Sequence, residues 1–442
     1  MRIALLRQDS CLYWKDFSKG SVLELQDAQN FTQTKIMFLH TLMFGWEYPP
    51  KNTGGLGVAT QGIVQGLIRN GIGLTLVLPN GEGIDEEGLD VRSPGKRRLR
   101  RTLGLLHAYD TVRTLEERLR QEGRTIDNLY AGDIGALVVQ FEEFAVEMTK
   151  DVRPAVIHCH DWMTFGAGIR ASSHHGVPLV IQIHATELDR TNFRPHRWIE
   201  SQERRGLLAA DRVIAVSNYS KDLLVRHYGV PEGKITVIHN AHALETAPLS
   251  LPITARYGSK RAPLVLFVGR LTIQKNPCQF LEVAHHIHNE RPDVQFVMVG
   301  EGYMFGELIE RSCVLGLQDC LTLAGRASRR EVEELMRRAD CLVMPSLSEP
   351  FGLVALEAIA HGTPVVLSKQ CGAREVLKHC FTVDFWDTEK MADCVLTILR
   401  EKPLALQLRS EAPRILQTLT WTTQARRIRA VYEDVLSPLP RH

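Results

Sequence analysis

The sequence lacks the features that would place it at once among membrane or secreted proteins. No uninterrupted apolar run reaches the roughly 18 residues that a membrane-spanning helix needs. The first residues, MRIALLRQDSCLYWKDF, contain too short an apolar segment for a secretory signal. The nine cysteines form no Cys-x-x-Cys pair and have no zinc-like spacing. We therefore expect reduced, mostly buried thiols in a cytoplasmic protein without an integral membrane segment.

The sequence also lacks a strong charge imbalance. Its formal net charge is +2 over 442 residues, so nothing drives it towards nucleic acid or an anionic membrane. One basic run, GKRRLRR, stands out. It suggests a patch for an acidic polymer, but no aromatic residues interleave with it and no apolar helix face accompanies it. A solvated surface loop is the favoured interpretation of its cations, which are Lys96, Arg97, Arg98, Arg100 and Arg101.

Neither the Rossmann G-x-G-x-x-G motif nor a Walker A loop is present. The length is too great for one core and favours two domains of roughly 200 residues. Short β-branched runs alternate with helical patterns, which predicts an α/β fold of two doubly wound parallel sheets. The predicted segments are an extension at 1–34 in which only IALLR resembles a strand, a first domain at 35–242, a linker at 243–261, a second domain at 262–418 and a closing helix at 419–442.

The most informative stretch is SLSEPFGLVALEAIAHGTPVV, residues 346–366. It contains two carboxylates eight positions apart, Glu349 and Glu357. Pro350 biases Glu349 towards extended backbone, so we expect Glu349 on a loop and Glu357 in the opening turns of a helix over Gly352–His361. Strands at Cys341–Pro345 and Pro364–Ser368 flank the unit, and α/β proteins bind ligands beyond the carboxyl ends of such strands.

Backbone N–H groups at the start of this helix predict an anion site. Those of Phe351, Gly352 and Leu353 have no partner within the helix, and Gly352 leaves room for close approach. Two carboxylates beside an anion cradle suit a ligand that carries both hydroxyls and phosphate, such as a nucleotide sugar. The alternative for Glu357 is a plain partner of the helix dipole.

Two further loops contain candidate phosphate ligands. Arg270 and Lys275 follow the strand LVLFVG, and two cations five residues apart on a loop can converge on one diphosphate, although they can also be ordinary surface charges. In the first half, a glycine-rich turn with Gly54 and Gly55 lies between a strand at Lys35–Leu42 and a helix. It can cradle a phosphate or form a mere tight turn.

Taken together, these strings resemble family 4 retaining glycosyltransferases, in particular the branch related to bacterial and archaeal glycogen synthases. The resemblance lies in the E-x7-E element, in GRLTIQKN with Arg270 and Lys275, and in WEYPPKNTGGLG. The relatives often have K-x-G-G-L-G, whereas Lys51 lies one residue further from Gly54 here. The resemblance implies the GT-B architecture and a last helix that crosses back onto the first domain.

The resemblance also implies roles for individual residues. Arg270 and Lys275 would bind the donor diphosphate, Glu357 the ribose and Glu349 the transferred hexose. Glu301 would lie near the nucleotide. Asp161 and His184, each at a strand end, would border the sugar site, with His184 hydrogen-bonding a sugar hydroxyl, although both can also be structural.

The predicted activity is transfer of a hexosyl unit, glucosyl being favoured, with retention of configuration. The donor would be ADP-glucose or UDP-glucose and the acceptor an oligosaccharide or polysaccharide. Because no Asp-x-Asp occurs at a strand end and cations can replace a metal, we predict no metal requirement. The alternatives are a family 4 enzyme with another donor and a lipid-linked or small-molecule acceptor, a non-catalytic glucan-binding protein, and an epimerase or phosphorylase. The sequence does not determine the oligomeric state.

Overall fold

The computed structural model describes residues 2–5, 12–16, 22–25, 39–50, 54–94, 133–242 and 262–437. Those before Leu39 and those from Leu39 onwards form two separate compact units. The first unit is an antiparallel three-stranded sheet in the order β1-β2-β3, with β1 at Arg2–Leu5, β2 at Leu12–Asp16 and β3 at Val22–Leu25. The sequence predicted at most one strand here, because the polar segments between the strands hide the alternation.

The second unit contains two lobes. The N-terminal lobe, residues 39–242, has seven strands: β4 His40–Phe44, β5 Gly73–Val77, β6 Leu89–Arg92, β7 Val156–His160, β8 Leu179–Ile183, β9 Arg212–Ala215 and β10 Ile235–Val237. They form one parallel sheet in the order β10-β9-β8-β7-β4-β5-β6. The central strands β7 and β8 are fully buried, as expected for a parallel sheet covered on both faces, although they contain the polar residues His158, His160 and Gln182.

Helices cover both faces of this sheet. Their bounds are α1 Gly55–Arg69, α2 Asp133–Thr149, α3 Trp162–His175, α4 Glu187–Thr191, α5 Arg197–Ala209 and α6 Asn218–Leu223. A π-helical turn at Leu224–Tyr228 continues α6, and a 3-10 turn lies at Glu232–Lys234. Helix α1 ends where the Asn70-Gly71 pair predicts, and Gly71 has a φ of +76°.

The C-terminal lobe, residues 262–418, contains the second sheet. Its strands are β11 Leu264–Val268, β12 Gln295–Val299, β13 Leu321–Gly325, β14 Cys341–Met344, β15 Val365–Ser368 and β16 Phe381–Val383. All pair in parallel, in the order β13-β12-β11-β14-β15-β16. The helices are α7 Pro277–Glu290, α8 Phe305–Val314, α9 Arg329–Arg338, α10 Leu353–Ala360, α11 Thr388–Arg400 and α12 Lys402–Thr418.

The last helix, α13, spans Trp421–Leu436 and lies against the N-terminal lobe. It packs on two glycines of α1. A Cβ at Gly62 would lie 2.2 Å from the Trp421 ring, and one at Gly66 would lie 2.6 Å from the Trp421 carbonyl oxygen. Only glycine permits this approach. The predicted return of the closing helix to the first domain is thus observed.

Several predicted boundaries shift by a few residues. The predicted helix Gly352–His361 is Leu353–Ala360, and the strand predicted from Lys35 is described only from His40. Helix α9 begins with a capping box of Ser328 and Glu331, a pair whose spacing of three positions is typical of a helix start. The basic run and the predicted linker at 243–261 lie outside the described residues. None of the described helices combines the length and apolar composition that a membrane span would require.

Both sheets reverse their strand order at one point, and this determines where a ligand can bind. In the C-terminal lobe the reversal lies between β11 and β14, and in the N-terminal lobe between β4 and β7. The crevice at the carboxyl ends of such strands is the usual ligand site of open α/β sheets. The loop after β11 contains Arg270 and Lys275, the loop after β14 contains Glu349, and Asp161 directly follows β7.

Candidate active site

Two hydrogen bonds join the two loops at the C-terminal reversal point. The Leu347 amide donates to the Gln274 carbonyl over 3.0 Å, and the Asn276 side chain donates to the Pro345 carbonyl over 3.1 Å. Asn276 has a φ of +55°, a conformation that asparagine tolerates better than most residues. This turn starts α7 and directs the preceding loop towards the loop that contains Glu349.

Lys275 and Glu349 meet across these loops. Lys275 Nζ donates to Glu349 Oε2, and their side chains are 17% and 8% exposed. The Ser346 hydroxyl also donates to Glu349 Oε2, over 3.3 Å. The predicted phosphate cation and the predicted hexose carboxylate therefore occupy one nearly enclosed position.

The backbone around Glu349 is fixed by the loop after β15. The Glu349 amide donates to the Gln370 carbonyl, and the Gly372 amide donates back to the Glu349 carbonyl over 2.8 Å. Gly352 has a φ of +99°, and a Cβ there would lie 3.0 Å from Cys371 Sγ and 3.1 Å from Glu349 Cγ. Burial raises the pKa of the Cys371 thiol. This keeps Cys371 neutral, so it serves as a small, fully buried packing residue.

Arg270 and Glu301 lie on neighbouring segments. The Leu271 amide donates to the Glu301 carbonyl over 2.9 Å, whereas the Glu301 side chain is exposed. Two glycines permit this contact, because a Cβ at Gly300 would lie 1.8 Å from the Gly269 carbonyl oxygen and one at Gly302 would lie 2.3 Å from that of Leu271. Glu301 thus supports the Arg270 loop through its main chain.

Glu357 occupies a different position from Glu349. It is the fifth residue of α10, and the His361 ring hydrogen-bonds to its carbonyl over 2.7 Å. Burial raises the pKa of its carboxyl, the charge of Arg329 opposes that rise, and Glu333 adds to it. The structure therefore brings Lys275 and Glu349 together, whereas the charges that act on Glu357 come from Arg329 and Glu333 of α9.

Asp161 is held at the amino end of α3 with a φ of +58°. Its Oδ1 accepts a 2.6 Å hydrogen bond from the His184 amide, and its buried Oδ2 has no hydrogen-bond partner. Burial raises the pKa of Asp161 to about 7, while the charge of Arg190 opposes and that of Glu47 increases this rise. An unusual backbone, an unpartnered oxygen and a raised pKa are typical of a functional carboxyl group.

His184 belongs to a row of three buried histidines. His160 Nδ1 and His184 Nε2 are 3.0 Å apart, and the rings of His158 and His160 are 4.4 Å apart. At the far end of the row, His158 Nδ1 lies 2.6 Å from the Tyr432 hydroxyl of α13. Burial lowers the pKa of His158 and of His184 to about 3, and that of His160 well below its usual value. All three rings are neutral at neutral pH.

The glycine-rich turn lies at the reversal point of the N-terminal sheet. Helix α1 begins at Gly55 after Gly54, and a Cβ at Gly54 would lie 2.8 Å from Glu47 Oε2. Glycine at position 54 thus makes room for the buried Glu47 carboxylate, while a Cβ at Gly55 would meet open space. Lys51 lies outside the described residues.

Hydrogen bonds join the two lobes at Ser348 and Pro350, the residues before and after Glu349 in the sequence. The Ser348 hydroxyl donates to Asp189 Oδ1 over 2.5 Å and lies 2.8 Å from the Tyr219 hydroxyl. The Ser217 hydroxyl donates to the Pro350 carbonyl over 2.5 Å. Both neighbours of Glu349 are therefore bonded to the N-terminal lobe, which orders the site between the lobes.

A fourth contact between the lobes is made by Glu375. Its carboxylate accepts hydrogen bonds from the backbone and side chain of Asn218 and from the Tyr219 backbone, and it pairs with His239 Nε2 over 2.8 Å. Burial alone would raise the pKa of Glu375, but these bonds, that of His239 first, lower it to about 2. A charged carboxylate at this point is thus a stable link between the lobes.

Sequence reasoning missed several of these residues. It did not identify Glu47, His158, Ser348 or Glu375. The HCH string of β7 contained a usable signal, because alternate strand residues face the same way and place His158 and His160 side by side. Among the described residues, no group of three or more His, Cys, Asp or Glu side chains is arranged to hold a metal ion.

Comparison with known proteins identifies the family of the chain. The family described as Glycosyltransferase Family 4 matches residues 53–246, and the family described as Glycosyl transferases group 1 matches residues 254–414. An uncharacterized glycosyltransferase of Methanocaldococcus jannaschii is 30% identical over 352 residues, 76% of this chain and 82% of the relative. The glycogen synthase of Mycobacterium tuberculosis is 27% identical over 405 residues, 89% of this chain and 94% of that enzyme. A D-inositol 3-phosphate glycosyltransferase of Thermobispora bispora is 29% identical over 323 residues, which are 66% of this chain and 74% of that enzyme.

The fold of this chain resembles that of several solved structures. Sucrose-phosphate synthase from Thermosynechococcus elongatus has a TM-score of 0.69 at 18% identity, and the match covers 90% of this chain and 99% of the synthase chain. HepE of Anabaena, solved in complex with UDP-glucose, has a TM-score of 0.62 at 19% identity, and the match covers 90% of this chain and 100% of HepE. Two parallel α/β lobes are the architecture of the GT-B fold that these structures share. The chain belongs to glycosyltransferase family 4, which confirms the family and fold predicted from the sequence.

Proposed function

We propose that this protein transfers a hexosyl unit, glucosyl being favoured, from a nucleoside diphosphate sugar to an α-glucan with retention of anomeric configuration. The observation that carries the proposal is the pairing of Lys275 with Glu349 at the reversal point of the C-terminal sheet, between two contacts with the N-terminal lobe. A cation and a carboxylate held together suit a ligand in which a phosphate is bonded directly to a polyhydroxylated sugar.

Different residues bind different parts of the donor. Arg270 and Lys275 neutralise the diphosphate, and the N–H groups at Phe351, Gly352 and Leu353 assist at the start of α10. Glu349 accepts hydrogen bonds from hexose hydroxyls. Glu357, the fifth residue of α10, accepts hydrogen bonds from ribose hydroxyls.

The reaction breaks the bond between the anomeric carbon and the β-phosphate oxygen. Negative charge develops on the departing phosphate, so cations already in place stabilise the transition state more than the ground state. The acceptor oxygen bonds to the anomeric carbon on the same face, and the acceptor proton passes to the departing phosphate oxygen. The charges of Arg270 and Lys275 make a metal ion unnecessary for this step.

The N-terminal lobe provides the acceptor side. We assign the turn at Gly54 and Gly55 to the donor phosphate edge, and Asp161 and His184 to the sugar. The Mycobacterium tuberculosis relative named glycogen synthase supports a glucan acceptor, and the Anabaena structure with UDP-glucose supports a glucose donor. Eight cysteines among the described residues are free thiols, which fits our assignment of the protein to the cytoplasm.

A small phosphorylated acceptor is the second candidate. The relative named D-inositol 3-phosphate glycosyltransferase favours it, at an identity similar to that of the glycogen synthase. The same donor site serves both candidates, and the difference lies in the acceptor region of the N-terminal lobe.

The test is a matrix of donors and acceptors. ADP-glucose, UDP-glucose and UDP-N-acetylglucosamine are each combined with glycogen, maltooligosaccharides and inositol phosphate, with and without a chelator. We expect glucosyl transfer to the glucans, an α-linked product by NMR and no effect of the chelator. Transfer only to inositol phosphate would select the second candidate. A product with inverted configuration would refute retention, and loss of activity with the chelator would refute metal independence. If there is neither transfer nor hydrolysis of the donor, a non-catalytic binding protein is favoured.

A further inference from the structure

One buried carboxylate, that of Asp189, bonds to both lobes beside the candidate active site. Its Oδ2 accepts hydrogen bonds from the backbone amide and the hydroxyl of Thr186, over 2.8 and 2.7 Å. Its Oδ1 accepts a hydrogen bond from the hydroxyl of Ser348, which belongs to the C-terminal lobe. Asp189, Thr186 and Ser348 are each at most 2% exposed, so water does not compete for these bonds.

The two loops that Asp189 joins both contain residues assigned to the site. Thr186 lies two positions after His184 on the loop after β8, and Ser348 directly precedes Glu349 on the loop after β14. The Asp189 carboxylate thus lies between the loop that borders the sugar in one lobe and the group expected to bind hexose in the other. A change in its position would alter the separation of the two.

The start of α4 does not by itself explain both bonds of this carboxylate. Asp189 is the third residue of α4 and forms a capping box with Thr186, which uses Asp189 Oδ2 and the Asp189 amide. The Oδ1 atom is not needed for the box and is free to accept from the other lobe. A carboxylate has acceptor sites on both oxygens, whereas a side chain with a single acceptor oxygen would serve only one of the two loops.

Tyr219 fixes the direction of the Ser348 hydroxyl. The hydroxyl oxygens of Tyr219 and Ser348 lie 2.8 Å apart. Because the single hydroxyl proton of Ser348 is donated to Asp189, Tyr219 must be the donor in this contact. The Ser348 hydroxyl therefore makes two bonds, and both lead to the N-terminal lobe.

We propose that Asp189 is a positioning residue for the transfer reaction and holds the Glu349 carboxylate in a fixed place relative to the N-terminal lobe. It acts through Ser348 and needs no contact with the donor. The effect on the reaction rests on the proposed function, in which Glu349 binds hexose, whereas the effect on the loop after β14 does not. The bond between Lys275 and Glu349 lies within the C-terminal lobe, so nucleotide binding should persist when the link is lost.

Hydrogen–deuterium exchange of the peptide 346–351 tests the link without turnover. Two amides of this peptide donate to carbonyls of the C-terminal lobe, and these bonds slow their exchange. We expect this peptide to exchange about threefold to tenfold faster in Ser348→Ala and in Asp189→Ala than in wild type. Glu375→Gln is the control, because it weakens another contact between the lobes that does not include Ser348. Unchanged exchange in Ser348→Ala, or equal acceleration in the control, would overturn the proposal.

Kinetics test the role in the reaction. A small displacement of a group that contacts the reacting sugar lowers the rate more than it weakens nucleotide binding. We expect Ser348→Ala to lower kcat about tenfold and to leave the KM of the donor within about twofold of wild type. A loss confined to KM would contradict a positioning role. A kcat equally low in Glu375→Gln would show that adhesion between the lobes, and not the place of Glu349, determines the rate.

The double variant tests whether Asp189 acts through Ser348. In a protein that already carries Asp189→Ala, the change Ser348→Ala should lower kcat by no more than about twofold further, because the link is already broken. A further loss of about tenfold would show that the two residues act separately and would overturn the proposal. If wild type transfers no sugar while the exchange results are as expected, the proposed function fails and the link between the lobes stands.

Discussion

Lys275 and Glu349 form an ion pair although they lie 74 positions apart in the chain. The pair joins the loop after β11 to the loop after β14. It also couples the two halves of the proposed donor site, because the group expected to bind phosphate is bonded to the group expected to bind hexose. A change in either residue should therefore alter the charge that the other presents.

Removing the cation should stop transfer. Lys275→Ala leaves the departing phosphate with one cation fewer, and we expect kcat to fall by about 10²–10³-fold, as when an oxyanion donor is removed. Turnover is measured with the best donor of the proposed matrix, and folding by circular dichroism. Lys369→Ala is the control, since Lys369 pairs with Asp384 on the exposed surface of the same lobe. Turnover near that of the control would remove the diphosphate assignment.

Neutralising the carboxylate should separate chemistry from nucleotide binding. In Glu349→Gln the contact with the hexose weakens while Lys275 keeps its full charge for phosphate. We expect kcat to fall at least about tenfold and the affinity for nucleoside diphosphate, measured calorimetrically, to hold or rise. Glu389→Gln, an exposed position at the start of α11, is the control. Equal losses in rate and nucleotide affinity would contradict a role on the sugar.

The approach of the loops that contain Lys275 and Glu349 could be predicted because its signals are local. Arg270, Lys275 and Glu349 each follow an apolar strand within a few residues, and proline or glycine marks the turn. In parallel sheets, such loops lie at one edge. The sequence therefore locates these residues without knowledge of the strand order.

The remaining contacts depend on distant pairings that no spacing encodes. Glu375 reaches His239 across 136 positions, and Tyr432 reaches His158 across 274. The assignment of Glu357 to the ribose stays a prediction, since no contact in the structure joins Glu357 to the pair of Lys275 and Glu349 among the described residues. The eight-residue separation carries Glu357 along α10 towards Arg329, whose charge acts on its carboxyl.

Gly352 should be essential to the position of Glu349. With a φ of +99°, an alanine there would be strained, and its Cβ would press on Cys371 Sγ and Glu349 Cγ. We expect Gly352→Ala to cost about 1–3 kcal/mol in stability and to lower kcat. Chemical denaturation and turnover check this. Gly306→Ala is the control, because a Cβ there meets nothing within 4 Å. A stability equal to that of the control would contradict the strain.

Glu375 should stabilise the contact between the lobes in a pH-dependent way. Its folded pKa of about 2 lies below the ordinary value of 4.5, so its contribution is complete above about pH 5 and is lost as the pH falls towards 2. We expect Glu375→Gln to lower the free energy of unfolding by about 1–3 kcal/mol at pH 7, with a smaller difference at pH 3. Denaturant titrations at both pH values measure it. A difference that stays constant would show that the carboxylate charge is not the cause.

Asp161 should cost stability at neutral and alkaline pH in return for function. Its folded pKa of about 7 lies above the ordinary 3.8, so the folded state holds a proton that the unfolded state releases, and stability falls as the pH rises between these values. Asp161→Asn keeps the acceptor for the His184 amide and cannot ionise. We expect it to melt higher than wild type at pH 8, to match it near pH 4 and to transfer sugar more slowly. Asp211→Asn, an exposed carboxylate that also accepts a backbone amide, is the control and should show no such gain. The prediction assumes that the ionised Asp161 carboxylate, buried with an unpartnered Oδ2, destabilises the folded protein at pH 8. A lower melting temperature for Asp161→Asn than for wild type at pH 8 would contradict this.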